Sequence, residues 1–547
     1  MLTTTKTPRF PIAMAVFIAA CSTAPAATAP APETSPAPAP GPAAPAPVQP
    51  APVPVMNPTL PPVPHVTGPL AIKVIYPPAG QLIQGKDSNF IFGSVGNGDA
   101  ALTINGVLSP VWPNGSFMAW LPKPPADNPV YEIVARTATD SARISHPVKI
   151  AAPPAGPVTP APPDTITPIS PARWAALIGP AAYASDTERV VTGYALTGGI
   201  QRWFLLPNTM VKVVGTKGSD VYVRLDTTRT IRIERKDVQL DSAGPPAAVP
   251  PRLVASKFTV SNTDEWTDIV IPITARPAHL VEEGPNSITL TLYGTDGPER
   301  QISVAPPDSS YISSISSFAN GPQMQYIVTM PREVFGYQAL WEDGKFTFRV
   351  RKPPAIDPAE PLKGLTITID PGHPPIGATG PTGLWEPEAT LAVGLKAEEL
   401  LKAKGVNVVM TRTTMDPVDL NLRESISRRT NSHAFVSIHL NAVPDGVNPF
   451  KAQGTATYHY YLHSGPLAKA IQTAAVPLLG LPDNGVKREN FAVVRGTWMP
   501  SVLVEGAFII MPDQEAALRT PEYQERYAQG IVNGLEAYFR SIATSQR

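Results

Sequence analysis

From Gly68 to Val350 apolar and polar residues alternate in short runs, the period of half-buried strands. Ala71–Ile75, Phe90–Gly93 and Ala101–Ile104 are such runs, and Asn105-Gly106 and Asn114-Gly115 stand between runs as hairpin turns. Several short strands punctuated in this way predict a β-sandwich over residues 68–150. Met210–Val214, Val221–Leu225 and Thr230–Ile233 repeat the pattern in a smaller β module over 174–243. Ser287–Leu292 and Lys345–Val350 do so in a third over 252–352. After Lys363 the period changes: Leu365, Ile367 and Ile369 alternate, then Leu391, Leu395 and Leu401 lie in a helical run that Gly405 ends. Further strands are predicted over Val406–Thr411, Ala434–Ile438, Phe491–Arg495 and Ser501–Val504. Helices are predicted over Leu420–Thr430, Pro466–Leu479 and Pro521–Arg540. This alternation predicts a C-terminal α/β domain over 363–545, with a mixed sheet flanked by helices.

Composition adds linkers to that picture. At 547 residues the chain exceeds the size of a single growing core, and its 68 prolines are far above average usage and point to linkers as well as folded modules. Sixteen of them fall between Ser22 and Thr67, mostly alternating with alanine, so residues 21–67 are expected to be an extended linker. At ~3.1 Å per residue this arm reaches at most about 140 Å. A second proline-rich linker is expected over 151–173. The 44 basic and 44 acidic residues balance, which gives no footing for a nucleic-acid partner. With one cysteine no intramolecular disulfide can form. Residues 1–20 have the charged, apolar, then small order of a secretory signal, and the apolar run is too short to span a bilayer. Ile18-Ala19-Ala20-Cys21 resembles the bacterial lipobox, which implies a lipid anchor on Cys21 and a periplasmic protein held to a membrane. Ser22 favours the outer membrane; ordinary signal cleavage nearby is the alternative.

Chemistry concentrates in the last region. His373 follows the first strand in Asp370-Pro371-Gly372-His373, and His439 stands in the strand segment Phe435–Ala442. Glu386 precedes Pro387, which suits the first turn of a helix. In open α/β sheets ligands collect beyond the carboxyl ends of the strands, where both histidines fall. Two imidazoles and a carboxylate form a common catalytic zinc set with one position left for water. Glu388, two residues on, competes with Glu386 for the carboxylate place. Glu505, at the end of an apolar strand, is placed to carry a proton to a leaving nitrogen. Of the other histidines here, His433 reads as structural or as support for His439, and His459 and His463 as packing or groove-facing.

The DPGH tetrad, the Glu386 segment, Thr411-Arg412-Thr413, Arg423, the hexad Ser437–Ala442, Gly485–Arg488 and Val504-Glu505-Gly506 resemble, in that order, one family's catalytic domain. That family is the zinc-dependent N-acetylmuramoyl-L-alanine amidases (amidase type 3), and the likeness covers Gly364 to about Ile542. It implies that His373, Glu386 and His439 bind Zn2+ and that Glu505 is the catalytic acid/base. The substrate it implies is peptidoglycan, at the amide between N-acetylmuramic acid and L-alanine, for wall remodelling or cell separation. Arg412 and Arg423 are expected as ion-pair partners that maintain the fold. The chain departs from the family pattern at Pro374-Pro375, where members usually carry Gly-Gly. A long inhibitory insertion, present in some members after the second histidine, is not expected in the short stretch between Ala442 and Tyr458. The module over 68–150 resembles immunoglobulin-like sandwiches, that over 174–243 SH3-like barrels, and that over 252–352 AMIN-type wall-targeting domains. The alternatives are a zinc carboxypeptidase acting on wall peptides, disfavoured because Ile376 stands where a His-x-x-Glu pair needs an acid, and a wall-binding protein with a degenerate amidase domain.

Overall fold

Strand alternation in the N-terminal half becomes paired sheet in every stretch the computed structural model describes. The described residues are 54–85, 87–151, 165–179, 190–200, 202–240, 252–304 and 311–545. The signal segment, Cys21 and most of the first proline arm lie outside them.

Residues 64–151 form a sandwich of two antiparallel sheets. One contains Lys73–Tyr76, Ser88–Ser94 and Ser116–Pro122; the other contains Val107–Ser109, Ala101–Ile104, Val130–Arg136 and Ser141–Pro147. Ile91, Phe117 and Ala119 from the first meet Leu102, Ile104, Ile133 and Ala135 from the second in a closed core. Asn105 and Gly106 both take positive φ (51° and 79°), as a tight hairpin turn requires. The segment Ala442–Ala452 belongs to this compact unit. Its Asp445 carboxylate accepts from the Gln84 amide (2.9 Å), the Asn89 side-chain amide (2.9 Å) and the Tyr76 hydroxyl, and Asn89 accepts in return from the Gly446 amide (3.0 Å). The stretch read from sequence as a plain short connection is therefore a bound one.

The second compact unit contains the remaining described residues. Its first part is one six-stranded antiparallel sheet, ordered Thr167–Ala176, Met210–Lys217, Asp220–Arg224, Thr230–Glu234, Val191–Tyr194, Arg202–Leu205. The first of these strands starts inside the expected linker 151–173. It can hold Pro168 and Pro171 because it is an edge strand, paired only with Met210–Lys217 and bulged between Pro168 and Arg173. The next part is a two-sheet sandwich, four-stranded and five-stranded, in which Ile269, Ile271, Phe346 and Phe348 face Ile288, Leu290, Tyr326 and Val328.

The α/β domain follows in the order β1 (Thr366–Pro371), α1 (Glu386–Ala403), β2 (Asn407–Met410), α2 (Leu420–Arg429), β3 (Ala434–Asn441), β4 (Thr455–His459), α3 (Gly465–Leu479), β5 (Asp483–Arg488), β6 (Ser501–Phe508), α4 (Pro512–Leu518) and α5 (Pro521–Ser545). The sheet order is β2-β1-β3-β6-β4-β5, with β2, β1, β3 and β6 parallel and β4 antiparallel to β6. This is the mixed sheet flanked by helices that the alternation implies. Phe491–Arg495, expected as a strand, is instead a 3-10 turn at Ala492–Val494. It buries Val493 and Val494 while Asn490 holds the Arg495 guanidinium (2.8 Å), and so short an apolar run does not distinguish the two forms. The strand β5 and the helix α4 were not foreseen.

Three contacts tie the second unit together. Arg351, fully buried in the second sandwich, donates to the carbonyls of Ser432 (2.6 Å) and Trp498 (3.1 Å) and to Asn431 Oδ1 (2.7 Å) in the α/β domain. Glu283 accepts from the His463 amide (2.9 Å) and lies 2.8 Å from His463 Nδ1. The end of the first proline arm, expected to be free, packs here as well: Asn57 donates to the Gly480 carbonyl (2.8 Å), Arg526 to the Thr59 carbonyl (3.1 Å), and Leu60 is buried. Gly480 ends α3 in the left-handed conformation (φ 65°), and Asn57 and Thr59 both satisfy its carbonyl.

Helices α3 and α5 approach through glycine. A Cβ on Gly534 would stand 2.4 Å from the Ile471 Cα, and one on Gly530 would stand 2.7 Å from the Ala475 Cα. Backbone cannot give way as a flexible side chain can. Gly534→Ala is therefore expected to destabilise the domain by about 1–3 kcal/mol despite its better helix propensity. Urea denaturation followed by far-UV circular dichroism reads this; an unchanged midpoint would contradict the close packing.

Candidate active site

The three expected ligands converge. His373 comes from the turn after β1, Glu386 from the first turn of α1 and His439 from β3, and one donor atom from each lies within 4.8 Å of the others. Glu386 Oε1 is 3.2 Å from His373 Nε2 and 3.3 Å from His439 Nδ1, and the two rings stand at 77°. Donors about 2.0–2.1 Å from a tetrahedral ion are separated by about 3.3–3.4 Å, so the two carboxylate–imidazole spacings suit a shared cation. Glu386 is only 4% exposed. Its Oε1 also accepts from the Leu440 amide (3.0 Å) and its Oε2 from the Ala378 amide (2.9 Å), which fixes the carboxylate plane. Burial pushes the carboxyl up, but the hydrogen bonds from His373 and His439 outweigh it and hold the group well below the usual range. Glu388 is exposed on α1 and outside the cluster, so the choice between the two acids goes to Glu386.

Two buried arginines hold the turn that carries His373. Arg423 pairs with Asp370 (2.7 Å) and donates to the carbonyls of Pro371 (2.9 Å) and His373 (2.9 Å). Arg412 departs from the expected ion pair: it donates to the carbonyls of Pro371 (2.8 Å), Gly372 (2.9 Å) and Pro387 (2.7 Å). Asp370 is closed off on its other side by Thr411 (2.5 Å) and Ser437 (2.6 Å). His373 itself has φ 60°, a conformation disfavoured for a side chain with a Cβ, and the Arg423 bond to its carbonyl helps to hold it there. The glycine before it is required too. A Cβ on Gly372 would meet His439 Nε2 at 2.5 Å, inside the space of the second ligand.

Glu505 lies on β6 directly opposite His439 on β3, where the pairing register then shifts. Its side chain is partly exposed, but Oε2 is buried and has no hydrogen-bond partner among the described residues. Burial, then the negative charge of Glu386, pushes its carboxyl well above the usual range. A cation held between the ligands would offset part of that push. An unpartnered carboxylate oxygen beside a donor triad is suited to holding a proton for a bound molecule.

Sequence reasoning missed two supports. Tyr527, from the middle of α5, donates to the carbonyls of Val504 (2.8 Å) and His439 (3.2 Å), and Gly506 gives it room. Glu515, fully buried on α4, accepts from the Thr382 amide (2.8 Å) and the Leu384 amide (2.9 Å) in the turn before Glu386. An acid and a tyrosine on helices carry no local signal of such roles.

The remaining histidines lie away from the centre. His433 stands at the start of β3 and accepts from the Thr366 amide (3.0 Å), so it supports the sheet rather than His439. His459 and His463 are buried, the first 2.9 Å from the Tyr461 carbonyl and the second on Glu283. Burial, then Arg351, lowers the His433 pKa from 6.5 to about 4. A depressed histidine favours the fold while neutral. Below its unfolded pKa the unfolded chain binds the extra proton, so this contribution is lost as pH falls from 6.5 towards 4. The α/β domain is expected to lose at most about 3 kcal/mol over that window, and His433→Gln less. Denaturation at stepped pH measures it; equal slopes in both proteins would contradict the assignment.

Comparison with known proteins places these features in context. The family profile described as N-acetylmuramoyl-L-alanine amidase matches residues 367–537. The chain is 38% identical over 194 residues to the uncharacterized protein YqiI of Bacillus subtilis (strain 168), covering 34% of this chain and 90% of that one. It is 36% identical over 188 residues to the N-acetylmuramoyl-L-alanine amidase LytC of the same organism, covering 33% of this chain and 36% of LytC. The solved catalytic domain of CwlV, an N-acetylmuramoyl-L-alanine amidase from Bacillus (Paenibacillus) polymyxa var. colistinus, is 33% identical, covers 32% of this chain and 97% of that one, and superposes with a TM-score of 0.30.

Proposed function

Through its C-terminal domain the chain belongs to the N-acetylmuramoyl-L-alanine amidase family, and on that premise we propose that it hydrolyses the amide between N-acetylmuramic acid and L-alanine in peptidoglycan with zinc as cofactor. The observation that carries this reading is the convergence of His373, Glu386 and His439 beside the unpartnered Oε2 of Glu505. Two nitrogens and one carboxylate oxygen are the donor types and number of a catalytic zinc site. Zinc held there supplies Lewis acidity to the amide carbonyl and to the attacking water.

The chain's own residues do the rest. Glu386, fixed by the Ala378 and Leu440 amides, keeps one oxygen aimed between the two imidazoles. Glu505 takes a proton on Oε2 from the water as its oxygen bonds to the carbonyl carbon. It then delivers that proton to the nitrogen as the carbon–nitrogen bond breaks, leaving a lactyl carboxylate and a free L-alanine amine. Asp370, Arg423 and Arg412 keep the His373 turn in place through this exchange, and Tyr527 keeps the two strands that bear His439 and Glu505 in register.

The same proposal places the protein in the periplasm, lipid-anchored at Cys21 to the outer membrane, with the proline arm reaching into the wall. No described helix is long and apolar enough to cross a membrane. The wild-type protein is expected to incorporate radiolabelled palmitate and Cys21→Ala to incorporate none. An unlabelled wild type, or equal label in the variant, would contradict the anchor.

Purified protein incubated with isolated sacculi should release stem peptides with a free L-alanine amine, identified by mass spectrometry. Glu505→Gln should bind the same zinc yet release them roughly 10²–10⁴-fold more slowly. Undiminished release by that variant would remove the mechanism, and cleavage within the peptide or between sugars would remove the reading.

A further inference from the structure

A cavity of about 840 Å³ lies within the second compact unit, lined by its first sheet, its sandwich and the α/β domain. It is not the metal centre. Tyr460 and Tyr461 on its wall follow β4, which runs antiparallel to β6 with Tyr458 opposite Leu503, so they lie near the start of β6. Glu505 lies further along that strand, about 13 Å from its start.

Three guanidinium groups meet on this wall. Arg202 lies 4.7 Å from the Tyr194 ring, Arg488 5.6 Å from the Tyr460 ring and Arg495 5.8 Å from the Phe204 ring. The Tyr460 hydroxyl stands among them, accepting from the Arg202 amide (3.2 Å) and donating to the Ile200 carbonyl (3.1 Å). Two of the forks are pinned: Arg488 Nε donates to the Tyr460 carbonyl (2.8 Å), and Arg495 donates from Nε to Asn490 Oδ1 (2.8 Å) and from one terminal nitrogen to the Asn490 carbonyl (3.3 Å). Neither Arg488 nor Arg495 has a carboxylate in ion-pair reach among the described residues. Five acids line the cavity: Glu424 is engaged by Arg428 (2.9 Å), Glu283 by His463 (2.8 Å) and Glu234 by Lys236 (2.7 Å), and Asp237 and Glu282 stand on the wall as well. Burial lowers the Arg495 pKa and Arg202 adds to it, with Tyr194, Tyr461 and Glu424 acting the other way. A guanidinium in a partly dry cavity with no carboxylate on it is unfavourable unless an anion completes it.

We propose that this cavity binds a short peptide through its carboxylates, with Arg488 and Arg495 as the main anchors. Pinned planar forks match carboxylates in pairs of hydrogen bonds, and the cavity falls within the range that encloses drug-sized ligands. Aromatic and aliphatic wall residues such as Tyr461, Phe204 and Leu280 suit the rest of a peptide better than a bare inorganic ion. The choice of a wall stem peptide rests on the amidase reading: such stems carry several free carboxylates and are what the proposed cut releases.

Isothermal titration of the full chain with free L-alanyl-γ-D-glutamyl-diaminopimelate tests this, with inorganic phosphate as the competing probe. Arg488→Gln and Arg495→Gln should each weaken tripeptide binding about ten- to a hundredfold. Arg495→Lys, which keeps the charge and loses the fork, should fall between wild type and Arg495→Gln, and it guards against a folding defect in the glutamine variant. His373→Ala should bind the tripeptide as wild type does, and equimolar phosphate should not displace it. Binding that ignores all three arginine variants, vanishes in His373→Ala, or yields to equimolar phosphate would overturn the proposal. Should sacculi release no peptide while the tripeptide still binds in the expected pattern, the amidase reading fails and the cavity assignment stands.

Discussion

The buried pair of Arg423 and Asp370 is the contact on which the centre depends. Asp370 stands near the end of β1 and receives Arg423, Thr411 and Ser437, so both its oxygens are occupied. Arg423 is then oriented to hold the carbonyls that follow, including that of His373. A buried ion pair contributes little net stability against a hydrophobic replacement. It contributes direction here: a strained histidine in the left-handed region is held at the edge of the sheet, where a hydrophobic pair could not bind the carbonyls. Arg412, which the sequence suggested as another ion-pair partner, bonds to carbonyls of the same turn and of the first turn of α1. Two of the three ligands are thus referred to one buried polar cluster, and the third is brought in by the strand next to it.

The centre was legible in sequence because its residues stand at the ends of apolar runs. His373 follows a strand whose alternation is plain, His439 and Glu505 each follow an apolar run within a strand, and Pro387 marks the helix start that carries Glu386. What was not legible depends on partners far along the chain. Asn57 finds its carbonyl at Gly480, and Asp445 of the Ala442–Ala452 segment finds its donors in the first sandwich. Tyr527 and Glu515 act through backbone groups that no local pattern names. Strand β5, Asp-Asn-Gly-Val-Lys-Arg, has no apolar alternation because it is an edge and buries little. The Thr167–Ala176 strand hid for a related reason: its prolines read as linker, yet an edge tolerates them.

The two ends of the sheet divide the work. The ligands and Glu505 gather beyond the carboxyl ends of the parallel strands, the usual place for chemistry in such sheets. The opposite end is where the second sandwich is bolted by Arg351 and by Glu283 with His463, and where the arginine-lined cavity opens. The small β sheets are therefore more than spacing along the chain, since they complete the walls of that cavity.

Zinc X-ray absorption on the purified full chain reads whether one cation is held by two imidazole nitrogens and one carboxylate oxygen. The expected result is about one zinc per chain in a four-coordinate shell of nitrogen and oxygen at about 2.0–2.1 Å, with two imidazole scattering patterns in wild type and one in His439→Ala. A six-coordinate shell, or an unchanged imidazole pattern in that variant, would contradict it.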